Sequence, residues 1–229
     1  MTYFHDFLSL FYPNNCFACG NNLFKNERVI CLSCLFHLPK TNYHTEKENP
    51  VSKIFWGRTR IETAAACYYF VKASKIQHLV HQFKYKGKKE IGVYIGELYG
   101  KELITSYYYQ DIDIIIPVPL HPKKIRIRGY NQSEMFAIGL SSSMNIPYDI
   151  NSLVRTYASE TQTKKTRFKR WENVKEIFDL NLPEKLENKH ILLIDDVITT
   201  GATLEACANL LNTIQGVRIS IASIAVASS

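Results

Sequence analysis

The chain has 229 residues, 46% of them hydrophobic, and a formal net charge of +7. That composition excludes an intrinsically disordered protein, and the length allows one substantial α/β domain with a small appendage. No apolar run approaches the ~20 residues that span a bilayer, and the first residues lack the flanks of a signal peptide.

Near the start, Phe4, Phe7, Leu8 and Phe11 have helical spacing, which predicts an N-terminal helix docked on the protein. Cys16, Cys19, Cys31 and Cys34 follow as C-x2-C-x11-C-x2-C. Each pair can place two thiolates on one ion, and two pairs complete a tetrahedral Zn2+ shell. The duplicated spacing and the lack of a secretion signal argue against a disulfide or redox pair. His37 and His44 lie nearby, but four sulfurs already fill the shell. The reading is a four-cysteine module over residues 1–45, its folding dependent on structural zinc, and a second domain over residues 54–229. The polar run from Thr41 to Lys53 reads as a linker.

A strand is predicted from Ile61 through Phe70. Ile76, Leu79, Val80 and Phe83 then form a helical stripe, with His78 and His81 on its solvent side. A second helix covers Glu90 to about Ser106. The strand from Asp111 to Val118 is ended by Pro117 and Pro119. Lys123, Lys124, Arg126 and Arg128 lead into a helix with Met135, Phe136, Gly139 and Leu140 on one face. Ser152 to Arg155 reads as a short strand, Thr156 to Arg170 as a polar, basic loop, and Val217 to Val226 as the closing strand. Cys67 and Cys207 read as core thiols. Strands alternating with helices predict a mostly parallel, doubly wound sheet.

The charge is uneven. Between His121 and Arg170 there are ten Lys/Arg and three acids, which is the whole excess of +7. Lys123, Lys124, Arg126, Arg128, Lys164, Lys165, Arg167 and Arg170 are candidates to contact a diphosphate or a nucleic acid. Tyr130, Phe168 and Trp171 could stack on bases.

The run from Ile191 to Thr203 carries the most chemistry. Ile191 to Ile194 predict a buried parallel strand. Asp195 and Asp196 follow, then a loop of Thr199, Thr200, Gly201, Ala202 and Thr203. Leu204, Cys207, Ala208 and Leu211 mark a helix. In open α/β sheets ligands bind beyond the carboxyl ends of the strands. A Thr/Gly loop opening a helix aims N–H groups and hydroxyls at an anion, while the carboxylates can accept hydrogen bonds from sugar hydroxyls. Phosphate donors beside diol acceptors describe a ribose 5-phosphate site.

This stretch resembles the phosphoribosyl pyrophosphate (PRPP) motif of type I phosphoribosyltransferases. The resemblance implies Asp195 and Asp196 on the ribose hydroxyls, Thr199 to Thr203 around the 5-phosphate, and Mg2+ bound with PRPP. Nearly the whole chain resembles the ComF family of competence-associated, phosphoribosyltransferase-like proteins. The matching elements are the four cysteines, Lys84-Tyr85 with Gly87, Arg126-x-Arg128-Gly129-Tyr130-Asn131-Gln132, Gln162, Arg170-x-x-Asn173-Val174 with Phe178, and the PRPP motif. The family implies a five-stranded parallel core with a small hood. It also implies work in the cytoplasm, or at the inner face of the membrane, on single-stranded DNA during natural transformation. Implied partners are a ComFA-type helicase and the recombination mediator DprA. Three functions stay open: a nucleic-acid module with a ribose-phosphate pocket, an active transferase moving phosphoribose from PRPP to an unidentified nitrogen acceptor, and a PRPP-sensing regulator.

Overall fold

Strict alternation along the apolar strands builds two packed layers from one sheet. Leu192 and Ile194 bury on one face and Ile191 and Leu193 on the other; Ala65 and Cys67 oppose Ala64 and Ala66 in the same way. A computed structural model describes residues 14–155 and 178–227. The expected N-terminal helix and the loop from Thr156 to Arg170 lie outside these residues.

The main sheet holds β1 (Thr63–Phe70), β2 (Ile114–Pro117), β5 (His190–Ile198) and β6 (Arg218–Ala227) in the order β1-β6-β5-β2. Every pairing in it is parallel. The family resemblance implies five strands. Among the described residues four strands are extended by one parallel bridge, Ile115 with Tyr148, where Ile115 N donates to Pro147 O and Asp149 N to Ile115 O, both at 2.9 Å. Pro147 has no N–H with which to continue a ladder. The predicted short strand is β3 (Leu153–Arg155). It pairs antiparallel with β4 (Phe178–Leu180) in a separate two-stranded sheet.

One face of the main sheet is covered by α3 (Lys75–Tyr85), α4 (Glu90–Leu103) and α6 (Gln132–Met144). The four apolar positions predicted for α3 are all buried, and His78 and His81 are exposed. The other face is covered by α7 (Ala202–Leu211), whose Leu204, Cys207, Ala208 and Leu211 are buried as the spacing predicts. Cys67 is buried too.

The supposed linker is ordered structure. Asn49 is 1% exposed. Its amide donates to Tyr43 O, Glu46 O and Ala64 O, and its oxygen caps the short helix α2 (Pro50–Lys53) by accepting from Val51 N and Ser52 N. A run that looks polar in sequence is therefore a satisfied buried network. From α2 the chain passes Phe55, fully buried, and runs beside α7: Arg58 meets its first turn and Arg60 O accepts from Asn212 at its end.

The cysteine module packs on the first layer. Val29, Ile30 and Leu38 share a core with Ile76, Phe83 and Ile91. Gln82 donates to Phe17 O at 2.6 Å, and Arg28 pairs with Glu97 at 2.7 Å. Among the described residues no helix is long and apolar enough to cross a membrane.

Candidate functional site

The four predicted cysteine ligands converge. Their sulfurs all lie within 4.8 Å of one another, with Cys16, Cys31 and Cys34 buried. Cys34 sits in α1 (Leu32–His37) and Cys31 just ahead of it. Burial alone would raise the Cys16 thiol. Backbone amides outweigh it: Cys31 N and Ala18 N point at Cys16 Sγ, at 3.2 and 3.4 Å, and bring it down to about 7. Such N–H···S contacts hold negative charge on sulfur, as a metal thiolate requires. The donor set of four sulfurs therefore fits a tetrahedral zinc ion. Neither nearby histidine belongs to the cluster. His37 Nδ1 contacts Ser33 O at 2.6 Å, and buried His44 packs edge-on against Tyr99.

The second cluster lies at the carboxyl edge of the main sheet. β5 carries Asp195 and Asp196 near its end, and the loop to α7 begins at once. Asp195 Oδ1 accepts from Ser133 Oγ at 2.9 Å and from the amide of Asp196 at 2.8 Å. Asp196 Oδ2 pairs with Lys84 Nζ at 3.0 Å, with both side chains largely buried. Burial pushes the Asp195 carboxyl up to about 7, and the charge of Asp196 adds to it. The two hydrogen bonds and Lys84 only partly offset this.

Thr199, Thr200, Gly201, Ala202 and Thr203 line a small hollow together with Asp195. Gly201, at the N-cap of α7, has no side chain to cap it; Ala202 N donates to Thr200 Oγ1 at 3.4 Å, and the amides of Thr203 and Leu204 in the first turn remain as donors. Gly201 has φ +74°, and a Cβ there would stand 2.8 Å from Ile54 Cγ2 and 3.1 Å from the Phe55 ring. Only glycine turns the chain here over that floor. Arg58 fixes the outer side. Its guanidinium donates to Thr200 O at 2.8 Å and pairs with Glu205.

The basic candidates divide. Lys123, Lys124, Arg126 and Arg128 sit on α5 (Pro122–Arg128), a short helix not predicted separately. Val118 N donates to Ile194 O at 2.9 Å, so the loop to α5 leaves the sheet beside the acid pair. Lys123, Lys124 and Arg126 are exposed. Arg128 donates to Gln132 Oε1 at 2.7 Å and lies over the Tyr85 ring at 5.4 Å. Tyr130 packs against Phe83 and bonds to its carbonyl. It is a packing residue with its hydroxyl engaged. Lys164, Lys165, Arg167, Arg170, Phe168 and Trp171 lie outside the described residues.

Sequence reasoning missed Ser133, Arg58 and the floor of Ile54 and Phe55. No spacing links them to Asp195 or Gly201; only the fold does. Lys84 stood in a motif, but its partner Asp196 is 112 positions away.

A phosphoribosyl transferase domain model matches residues 131–228. DNA utilization protein YhgH of Shigella flexneri is 30% identical over 196 residues, covering 82% of this chain and 79% of that protein. Competence protein ComFC of Bacillus subtilis is 27% identical over 200 residues, covering 86% and 77%. The chain belongs to the ComF family. Competence protein F of Haemophilus influenzae is 36% identical over 100 residues, 43% of this chain and 44% of its own. Residues 131–228 match a phosphoribosyl transferase domain, and the fold is a parallel sheet with helices on both faces.

The Asp195 environment sets a testable sign. Its folded pKa lies above the unfolded value of 3.8. The native state then binds the extra proton between about pH 4 and 7, and stability falls as pH rises through that window. Asp195→Asn should raise stability at pH 8 by on the order of 2 kcal/mol. It should leave stability below pH 4 nearly unchanged. Urea unfolding at pH 3.5 and pH 8 measures both; destabilisation at pH 8 would refute the assignment.

Proposed function

We propose that this ComF protein binds PRPP or ribose 5-phosphate, together with Mg2+, at Asp195, Asp196 and the loop Thr199 to Thr203. One observation carries the reading: β5 delivers two carboxylates, and directly after them the Thr/Gly loop that opens α7, to a single sheet edge. The amides and hydroxyls of Thr199 to Thr203 would cradle the phosphate. The carboxylates would take the ribose diol, with Ser133 orienting Asp195. Oxygen donors of this kind suit Mg2+, and the ammonium of Lys84 at Asp196 marks a place that accepts positive charge. Asp195 and Asp196 would hold the ion with oxygens of the ligand, where it would neutralise diphosphate charge.

The second part of the proposal is single-stranded DNA. Lys123, Lys124 and Arg126 are exposed on α5, the helix that follows the loop leaving the sheet at Val118, and the relatives' names refer to competence and DNA utilization. In this reading the protein works in the cytoplasm on incoming DNA, with a ComFA-type helicase and DprA as its protein partners.

Each cation that neutralises a phosphate of a single strand contributes about −0.7 to the log–log salt slope. Changing Lys123, Lys124 and Arg126 to Ala should therefore flatten the slope by about 2 and weaken binding. Fluorescence anisotropy of a labelled oligonucleotide over a salt series, with and without PRPP, measures this. A flat response in the wild type would refute the DNA reading. Loss of PRPP affinity with unchanged DNA binding in the variant would assign these cations to the diphosphate.

A further inference from the structure

Trp56 stands out on the segment that braces the phosphate loop. Its neighbours Val51 and Phe55 are fully buried and anchor the segment. Trp56 is 54% exposed, so the anchoring does not use the indole. The Lys53 ammonium lies 5.5 Å from the ring centroid. Position is the second observation. The preceding residue, Phe55, forms the floor under Gly201. Two residues on, Arg58 bonds to Thr200 O, Ile54 O and Glu205. With that guanidinium engaged internally, Lys53 is the exposed cation at the ring.

An open indole face with an ammonium over it, beside a loop of anion donors, is the composition of a base-and-phosphate contact. Aromatic faces stack on unpaired bases of any sequence, and a nearby cation meets the adjoining phosphate. From this geometry we infer that Trp56 is a stacking platform for an unpaired base of single-stranded DNA, with Lys53 on the flanking phosphate. The inference rests on the DNA reading above. It extends the path of the strand from α5, past the carboxyl end of β5, to the α2 side of the phosphate loop.

The sequence has two tryptophans, Trp56 and Trp171, so Trp171→Phe leaves Trp56 as the sole indole reporter. Titration of this variant with oligo(dT) should quench its emission. An abasic strand of equal length should bind without quenching, and thymidine monophosphate at equal nucleotide concentration should not quench. Trp56→Ala should lower oligo(dT) affinity about tenfold and Trp56→Phe by less, since a phenyl ring still stacks. A thermal melt checks that both variants are folded. Unquenched emission while anisotropy reports binding, or unchanged affinity of folded Trp56→Ala, overturns the inference and leaves the DNA reading intact. Equal quenching by the mononucleotide also overturns it, because the base site would then serve a small ligand. A wild type that binds no oligonucleotide overturns the DNA reading and this inference with it.

Discussion

Cys34→Ser protein should purify without its zinc, and its N-terminal module should unfold. Three of the four sulfurs are buried in the cluster, and the module shares its core with α3 and α4 through Val29 and Ile30. Structural zinc supplies on the order of 10 kcal/mol of binding free energy to modules of this kind, and a thiolate lost from the shell forfeits much of it. The wild type should carry one zinc per chain. Chelation should mimic the substitution and expose the apolar surface of α3 to a fluorescent dye. Metal content by mass spectrometry, paired with thermal unfolding, checks both expectations. Metal-free wild type with unchanged stability would refute the zinc assignment.

The second large effect is expected far from either site. Gly139 on α6 and Gly96 on α4 let these two helices touch backbone to backbone. A Cβ on Gly139 would lie 2.0 Å from Val93 O and 2.8 Å from Glu97 N; one on Gly96 would lie 2.5 Å from Phe136 O. Those neighbours are main chain and cannot rotate away. Gly139→Val should destabilise the protein by about 3 kcal/mol or more and lower its Tm by about 10 °C. The N-terminus of α6 carries Ser133, which holds Asp195, so ribose 5-phosphate binding should weaken as well. A Tm within 2 °C of wild type, on the order of half a kcal/mol, would show that the helices separate easily.

Both cysteine pairs and the run from Ile191 to Thr203 are legible in the sequence because their chemistry is local. A metal knuckle needs four consecutive residues, and a phosphate loop must follow its strand directly. The same locality gives the helical stripe of α3. What sequence misses is contact between distant segments. Asn49 reads as part of a polar linker, yet its buried amide is satisfied by three carbonyls. Gly139 reads as one position on an apolar face, while its need for glycine comes from the carbonyl of Val93. Ser133 and Arg58 meet Asp195 and Thr200 only when the fold carries them there. Tyr130 runs the other way. It reads as a base-stacking candidate, but its ring packs on Phe83 and its hydroxyl is engaged.

The most direct test is calorimetric titration of zinc-loaded protein with PRPP, with and without Mg2+, comparing wild type with the Asp195→Asn, Asp196→Asn double variant. Asp196→Asn also takes the carboxylate partner from Lys84, so a melt verifies that the double variant is folded before titration. The wild type should bind one PRPP per chain, more tightly with Mg2+. The variant should lose at least tenfold in affinity, about 1.4 kcal/mol, and most of the Mg2+ dependence. Equal binding by both proteins, or none by the folded wild type, would contradict a ribose-phosphate site at the end of β5.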